Sequence, residues 1–193
     1  MAWKAEHWLE EVFPGKSRIY EEYRLLPPRE LVVVAAAVLD LALATLLSRR
    51  FIDSPTESDA FLGVNGDGRA PAASFGARIQ LALLVGIITE SDAEILRAIK
   101  ELRNLFAHRV HVDFCSPVVQ KPLRSLYTRW RKRHEALVSA KLISGAPCRF
   151  DEIEKYLGKV PEAGEGLLLA AFTTYHAYFH LLSSRIGRIE LIR

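Results

Sequence analysis

Cysteine is scarce in this sequence, with two residues among 193, and methionine occurs once. Cys115 and Cys148 form neither a C-x-x-C pair nor the dense framework of a disulfide-rich secreted domain, so we expect a protein of the reducing, cytoplasmic environment. The composition is 50% hydrophobic and 25% charged, which excludes a disordered chain. A chain of 193 residues is long enough to bury the core of one domain, and we expect that domain to cover residues 1–193.

An apolar leader is also missing near the N-terminus, where Glu6, Glu10 and Glu11 stand, and we therefore expect no signal peptide. The longest apolar run, from Leu31 to Leu47, is slightly short for a bilayer span. Asp40 interrupts it at the middle, where a charge is costly in lipid. We predict a buried central helix and no association with a membrane.

Acidic residues are few in the middle of the chain. The stretch from Arg97 to Arg149 holds 12 Lys/Arg and 3 Asp/Glu, although the net charge of the whole chain is only +3. A local excess of positive charge is compatible with a phosphate-bearing partner such as RNA, but a solvated basic surface is the commoner explanation.

No segment alternates apolar and polar residues with a period of two, so we predict an all-α bundle of about five major helices. Capping residues and helix breakers set the boundaries, with side-chain caps expected at Ser54 and Ser74, a capping box from Thr89 to Asp92, and a loop from Gly63 to Ala72. The predicted helices are Trp3–Val12, Arg29–Phe51, a short helix after Ser54, Phe75–Val85, Glu90–His108, Ser116–Ile143, Phe150–Leu157 and Glu165–Gly187.

The helix ending in R-N-L-F-A-H has two distinct sides. Its buried stripe consists of Ile95, Ile99, Leu102 and Phe106. Asn104 and His108 lie nearly opposite that stripe, and Arg103 lies at its border. A solvated helix end explains a histidine there, because an imidazolium complements the helix dipole. Alternatively, a second subunit covers this side and gathers the three residues into a cleft.

The angle between Arg103 and His108 limits the second alternative. At 100° per residue the two are about 140° apart around the helix axis, so a straight helix does not direct them to one point. A site that uses both therefore needs an arginine side chain that curls round, a frayed last turn, or a partner chain.

Three segments carry a family resemblance: P-R-E-L-V-V-V-A-A-A-V-L-D-L-A-L (28–43), S-F-G-A-R-I-Q-L-A (74–82) and I-K-E-L-R-N-L-F-A-H (99–108). In this order and spacing they resemble the mannitol operon repressor family, which is itself similar to the HEPN superfamily of helical bundles. The resemblance covers about Pro27 to His111, less than half of the chain. Residues from Ser116 onwards match no motif of either family.

The resemblance implies an all-helical, HEPN-like bundle. Mannitol-repressor-like proteins are transcriptional regulators without a recognisable DNA-binding module, and they are thought to act through protein partners. In HEPN proteins an arginine followed by four to six residues and a histidine is the active motif of metal-independent ribonucleases, which work as dimers. Arg103 and His108 match that motif with four residues between them, and Asn104 matches the polar residue that often follows the arginine.

Two other segments could contact nucleic acid. The helices from Ser74 and from Glu90, joined by a short turn, resemble a helix-turn-helix. However, Glu90, Asp92 and Glu94 at the entering end would repel a duplex, so we predict an ordinary antiparallel helix hairpin.

The second segment is Y-T-R-W-R-K-R-H, Tyr127 to His134. Helical spacing with the neighbouring leucines places Trp130 in the core. The outer surface then carries Arg124, Arg131 and Lys132, with Arg129 and Arg133 at its flanks. These cations are either a solvated surface or phosphate contacts.

Buried charge and metal binding give the last predictions. Asp40 needs a partner if it is buried, and Arg78 is favoured over Arg103. His176 and His180 have a spacing that metals use, but no third ligand is near in sequence. We therefore predict packing against the core there, and neither a metal nor another cofactor.

Three functions are consistent with these features. The first is a cytoplasmic, mannitol-repressor-like regulator that forms a homodimer and acts through a protein partner. The second is a toxin-like, HEPN-type ribonuclease that uses Arg103, Asn104 and His108. The third, a purely structural dimerisation module, leaves these three residues unexplained.

Overall fold

The structure is a computed structural model that describes residues 22–51, 54–64, 66, 68–143 and 150–186. These residues form seven helices and no strand, which confirms the all-α prediction. The helices are α1 (Pro28–Arg50), α2 (Pro55–Leu62), α3 (Phe75–Leu84), α4 (Glu90–His108), α5 (Pro117–Ser139), α6 (Phe150–Tyr156) and α7 (Pro161–Arg185). The predicted helix Trp3–Val12 lies outside the described residues.

Helix α1 is the apolar centre of the bundle. Leu39 and Leu43 are fully buried, and α1 packs against α3, α4 and α7. By length and composition it is the one helix in the described ranges that could cross a bilayer. However, 67% of its most apolar window is buried inside the protein, which is typical of a core helix. The predicted buried central helix is therefore present.

Side-chain contacts define how the helices run. Arg49 near the end of α1 donates a 2.6 Å hydrogen bond to the Ser183 carbonyl near the end of α7, so α1 and α7 end at the same side of the bundle. Arg29 at the start of α1 contacts the carbonyls of Arg109 and Val110 just beyond α4. The start of α1 and the end of α4 therefore lie together, and these two helices are antiparallel.

Two of the three predicted caps are present. The Ser74 hydroxyl accepts a hydrogen bond from the Ala77 amide at 3.2 Å, and Thr89 with Asp92 forms a complete capping box. Ser54 directly precedes α2, but its side chain makes no cap hydrogen bond, so a side-chain cap is absent there. Such a cap would accept from the amide of Thr56 or Glu57, and Pro55 removes neither of these amides.

Two of the described boundaries differ from the prediction by about four residues, whereas most of the others agree within one residue. Helix α5 ends at Ser139 and not near Ile143, because Lys141 adopts a left-handed conformation with φ of 54° that breaks the helix. Helix α7 begins at Pro161, four residues before the predicted start at Glu165. Pro161 occupies the first turn, where its missing N–H costs nothing, so the four residues from Pro161 to Gly164 also belong to the helix.

Candidate functional site

Helix α4 has the predicted buried and exposed sides. The stripe of Ile95, Ile99, Leu102 and Phe106 is fully buried. Arg103 is half-buried, whereas Asn104 and His108 are exposed. The hydrophobic core therefore holds one side of the helix and leaves the other side available at the surface.

The side chain of Arg103 bends towards Asn104. Its Nη1 atom donates a 3.1 Å hydrogen bond to the Asn104 side-chain oxygen. Because Asn104 shares its side of the helix with His108, this contact turns the guanidinium towards the exposed side. A site using Arg103 and His108 requires a bend in this direction.

Arg103 also acts on a carboxylate beneath the surface. Burial raises the pKa of Asp40 above its ordinary value, while the positive charges of Arg78 and, more weakly, Arg103 lower it in part. Arg78 donates a 2.8 Å hydrogen bond to Asp40, as predicted. Its other nitrogens donate to the carbonyls of Ala72 and Leu62. Arg78 therefore holds Asp40 directly, and Arg103 acts on Asp40 only through its charge.

The chain remains exposed beyond the last residue of α4. Arg109 adopts an extended conformation, and its amide donates to the Leu105 carbonyl. The side chain of Val110 is 78% exposed, and His111 is also exposed. Cationic, imidazole and amide groups are thus concentrated at this end of the bundle, a set of donors suited to an anionic or hydrogen-bonding partner.

Much of the predicted basic surface on α5 is engaged by acidic residues. Arg131 contacts Glu135 at 3.4 Å and Glu154 at 3.1 Å, and its guanidinium lies 5.3 Å from the Phe150 ring centre. Arg131 is therefore paired with acidic residues of α5 and α6, while 39% of its side chain stays exposed, and its role as a phosphate contact stays a prediction.

The other cations of this surface divide into two groups. Arg129 pairs with Glu94 at 3.0 Å. Arg124 and Lys132 are exposed, and neither has an acidic partner in the part of the chain that the structure describes. Trp130 is fully buried, as predicted, and donates to the Thr174 hydroxyl. Base stacking on Trp130 is thereby excluded.

The predicted helix hairpin of α3 and α4 is present, and Arg97 of α4 donates to the Gln80 side chain of α3 at 3.0 Å. Asp92, however, does not face outwards with Glu90 and Glu94. Its carboxylate is fully buried and contacts Arg133 and Tyr175. The capping-box spacing predicted the contact with Thr89 but gave no signal of these distant partners.

The two histidines of α7 have no third metal-ligand side chain beside them among the described residues. His176 is half-buried beside Phe172 at a ring distance of 6.0 Å, while His180 is exposed. The aromatic neighbours Phe172, Tyr175 and Phe179 are core residues, as predicted. Across the described ranges, no group of three or more His, Cys, Asp or Glu side chains is placed to hold a metal ion.

A shallow apolar groove lies at the other end of α1. Phe51, Phe61 and Leu81 line it, and Glu57 stands among them. Helix α1 is about 34 Å long at 1.5 Å per residue, so this groove is remote from His108. It contributes nothing to the arrangement of Arg103, Asn104 and His108.

Comparisons of the chain with protein-family models, curated proteins and solved structures find no match. A functional assignment therefore depends on the residues and on their geometry.

Proposed function

We propose that this protein is a cytoplasmic, mannitol-repressor-like transcriptional regulator that binds a protein partner at the exposed end of α4. One observation carries the proposal. Asn104 and His108 are exposed on a helix whose opposite side is fully buried, and Arg103 is turned towards them. The side chain of His108 makes no hydrogen bond to the described residues, so the bundle does not use it for support.

The hairpin of α3 and α4 supports action through a partner in place of direct DNA reading. Glu90 is exposed at the start of α4, and Glu94 stands one turn later in a pair with Arg129. Negative charge at the end of a helix that would enter the major groove opposes binding to phosphates. The regulator that we propose therefore reaches its operon through another protein.

A homodimer is part of the proposal. A second copy placed beside the exposed side of α4 would gather two sets of Arg103, Asn104 and His108 into one cleft. The protein partner would then bind in that cleft.

The test is complementation of a strain that lacks this protein, with transcript levels as the measurement. The parent chain should restore the parental transcript pattern, whereas Asn104→Ala/His108→Ala should fail at equal protein abundance. Glu57→Gln, an exposed change at the other end of α1, is the matched control and should restore the pattern. Restoration by Asn104→Ala/His108→Ala would contradict the proposal.

A second candidate is a HEPN-type, metal-independent ribonuclease. The hydrogen bond from Arg103 to Asn104 favours it, because this contact bends a cation towards the side that carries His108. In such a reaction the ribose 2′-oxygen attacks phosphorus and the 5′-oxygen leaves. Histidine would transfer the proton, and arginine would stabilise the charge that develops on the phosphate.

RNA cleavage tests this candidate directly. Labelled RNA incubated with the full chain in EDTA should give ends with 2′,3′-cyclic phosphate. His108→Ala should lower the rate by about 10²- to 10⁴-fold, the range for a lost general acid or base. Glu57→Gln should cleave at the parental rate. Equal rates for His108→Ala and the parent would exclude the ribonuclease.

A further inference from the structure

Arg29 reaches across the bundle to the chain that follows His108. A single guanidinium nitrogen, Nη2, donates to the Arg109 carbonyl at 2.5 Å and to the Val110 carbonyl at 2.8 Å. Arg29 is the second residue of α1, and its partners are 80 and 81 residues later in sequence. The contact therefore connects two segments that only the fold brings together.

This contact is the means by which the exposed turn is held. All the side chains from Ala107 to His111 are exposed, between buried Phe106 and half-buried Val112. Apolar burial does not fix that stretch. Besides the hydrogen bond from the Arg109 amide to the Leu105 carbonyl, the two charge-assisted hydrogen bonds from Arg29 hold it, and such bonds are about twice as strong as neutral ones.

The helix dipoles indicate which helix Arg29 stabilises. A cation is disfavoured at the N-terminus of a helix, where Arg29 stands in α1, and favoured at a C-terminus, which α4 presents to it. An arginine at this position of α1 does not help α1. The position is explained by the carbonyls at the end of α4.

We propose that Arg29 is a positioning residue of the candidate site: its two hydrogen bonds hold the turn after α4 and so orient the His108 side chain. The inference depends on the proposed function insofar as the end of α4 is the site. It adds a residue from the start of the bundle to the three residues of the motif.

Nuclear magnetic resonance of the imidazole ring tests the proposal without RNA or partner. We expect Arg29→Gln to move the ring signals of His108 and the backbone amide signals from Arg109 to His111. The signals of His108 are assigned with His108→Gln. Arg24→Gln changes an exposed arginine five residues earlier and should leave them in place. Coincidence of the His108 signals in Arg29→Gln and the parent would overturn the proposal.

A conservative variant keeps the test valid if Arg29→Gln does not fold. Lysine retains the charge but presents its donors from one point, so Arg29→Lys should move the His108 signals less than glutamine does, yet measurably. Unmoved signals in a folded Arg29→Lys variant would overturn the proposal in that case.

Activity assays distinguish a failure of the proposed function from a failure of the Arg29 proposal. If the ribonuclease assay is positive, Arg29→Gln should lower kcat by about 10- to 100-fold with little change in KM, because misplacement of a reacting group affects the chemical step. If His108→Ala is neutral in every functional assay, the proposed function fails. The resonance shifts still decide whether Arg29 positions His108.

Discussion

Asp92 and Arg133 form a two-point ion pair inside the bundle. Arg133 Nε lies 2.6 Å from one carboxylate oxygen of Asp92, and Nη2 lies 2.9 Å from the other. The Tyr175 hydroxyl donates to the same carboxylate at 2.9 Å, and Asp92 also completes the capping box with Thr89. One fully buried side chain thus connects α4, α5 and α7, and it fixes the end of α4 opposite His108.

Loss of this carboxylate should be costly. Asp92→Asn removes the negative charge and leaves the guanidinium of Arg133, whose side chain is 17% exposed, without its counter-ion. Breaking a buried pair in this way destabilises proteins by about 3–5 kcal/mol. We expect a loss in that range in the free energy of unfolding, measured with urea at neutral pH.

Glu94→Gln is the matched control, because it removes an acid two residues later in the same helix. Its ion pair with Arg129 is about 40% exposed on both sides, at 44% and 41%. Exposed pairs contribute less than about 1 kcal/mol. Equal losses for Asp92→Asn and Glu94→Gln would show that the buried pair does not stabilise the bundle.

Two glycines in the first turns of α7 should respond to alanine in opposite ways. A methyl group at Gly164 would lie 2.6 Å from the Phe114 side chain, whereas one at Gly166 would have nothing within 4 Å. Overpacking costs about 1–3 kcal/mol. In open space, replacing a helical glycine with alanine stabilises by about 0.5–1 kcal/mol.

Thermal unfolding of the two variants measures this difference. Gly164→Ala should melt below the parent and Gly166→Ala above it. If Gly164→Ala, like Gly166→Ala, melted above the parent, the close packing of α7 on Phe114 would be contradicted.

Features set by neighbouring residues were predictable from the sequence. The stripe of α4 follows from the helical period, and the capping box joins Thr89 to Asp92 across only three positions. The Asp40–Arg78 pair was also predictable, because a charge in an apolar helix demands a partner and few were available.

Contacts between distant segments were not predictable in this way. Asp92 finds Arg133 41 residues later, and Arg29 finds the carbonyls beyond α4 80 residues later. A surface position on one helix contains no information about which neighbour covers it. For that reason the pair of Arg131 with Glu154 of α6 was not predicted, although both side chains stay partly exposed.

The contribution of Asp40 to stability should depend on pH. Burial raises the pKa of Asp40 in the folded protein, with opposition from Arg78 and Arg103. The folded state therefore binds this proton more tightly than the unfolded state does. The resulting stabilisation is complete below the ordinary aspartate pKa and is lost as the pH rises through the raised value.

Urea unfolding of the parent and of Asp40→Asn at several pH values measures this effect. Asparagine cannot titrate, so the unfolding free energy of Asp40→Asn should be lowest relative to that of the parent in acid, at about pH 4, near the ordinary aspartate pKa. Relative to the parent, the unfolding free energy of Asp40→Asn should then rise towards about pH 7. A difference in unfolding free energy that widens towards neutral pH would mean that the ion pair with Arg78 outweighs burial.

The division of the basic surface on α5 gives a prediction for RNA binding. Arg124 and Lys132 are exposed without acidic partners among the described residues, whereas Arg129 is held by Glu94. If this surface contacts single-stranded RNA, each lost phosphate contact should reduce the slope of log affinity against log salt by about 0.7. Arg124→Gln/Lys132→Gln should therefore reduce it by about 1.4, since both contacts are lost.

Fluorescence anisotropy of a labelled oligonucleotide over a series of salt concentrations measures the slope. Arg129→Gln removes the same charge from the same helix and serves as the control. Its effect on the slope should be smaller, because pairing with Glu94 already offsets the charge of Arg129. Equal slopes for the parent and Arg124→Gln/Lys132→Gln would exclude these two cations as phosphate contacts.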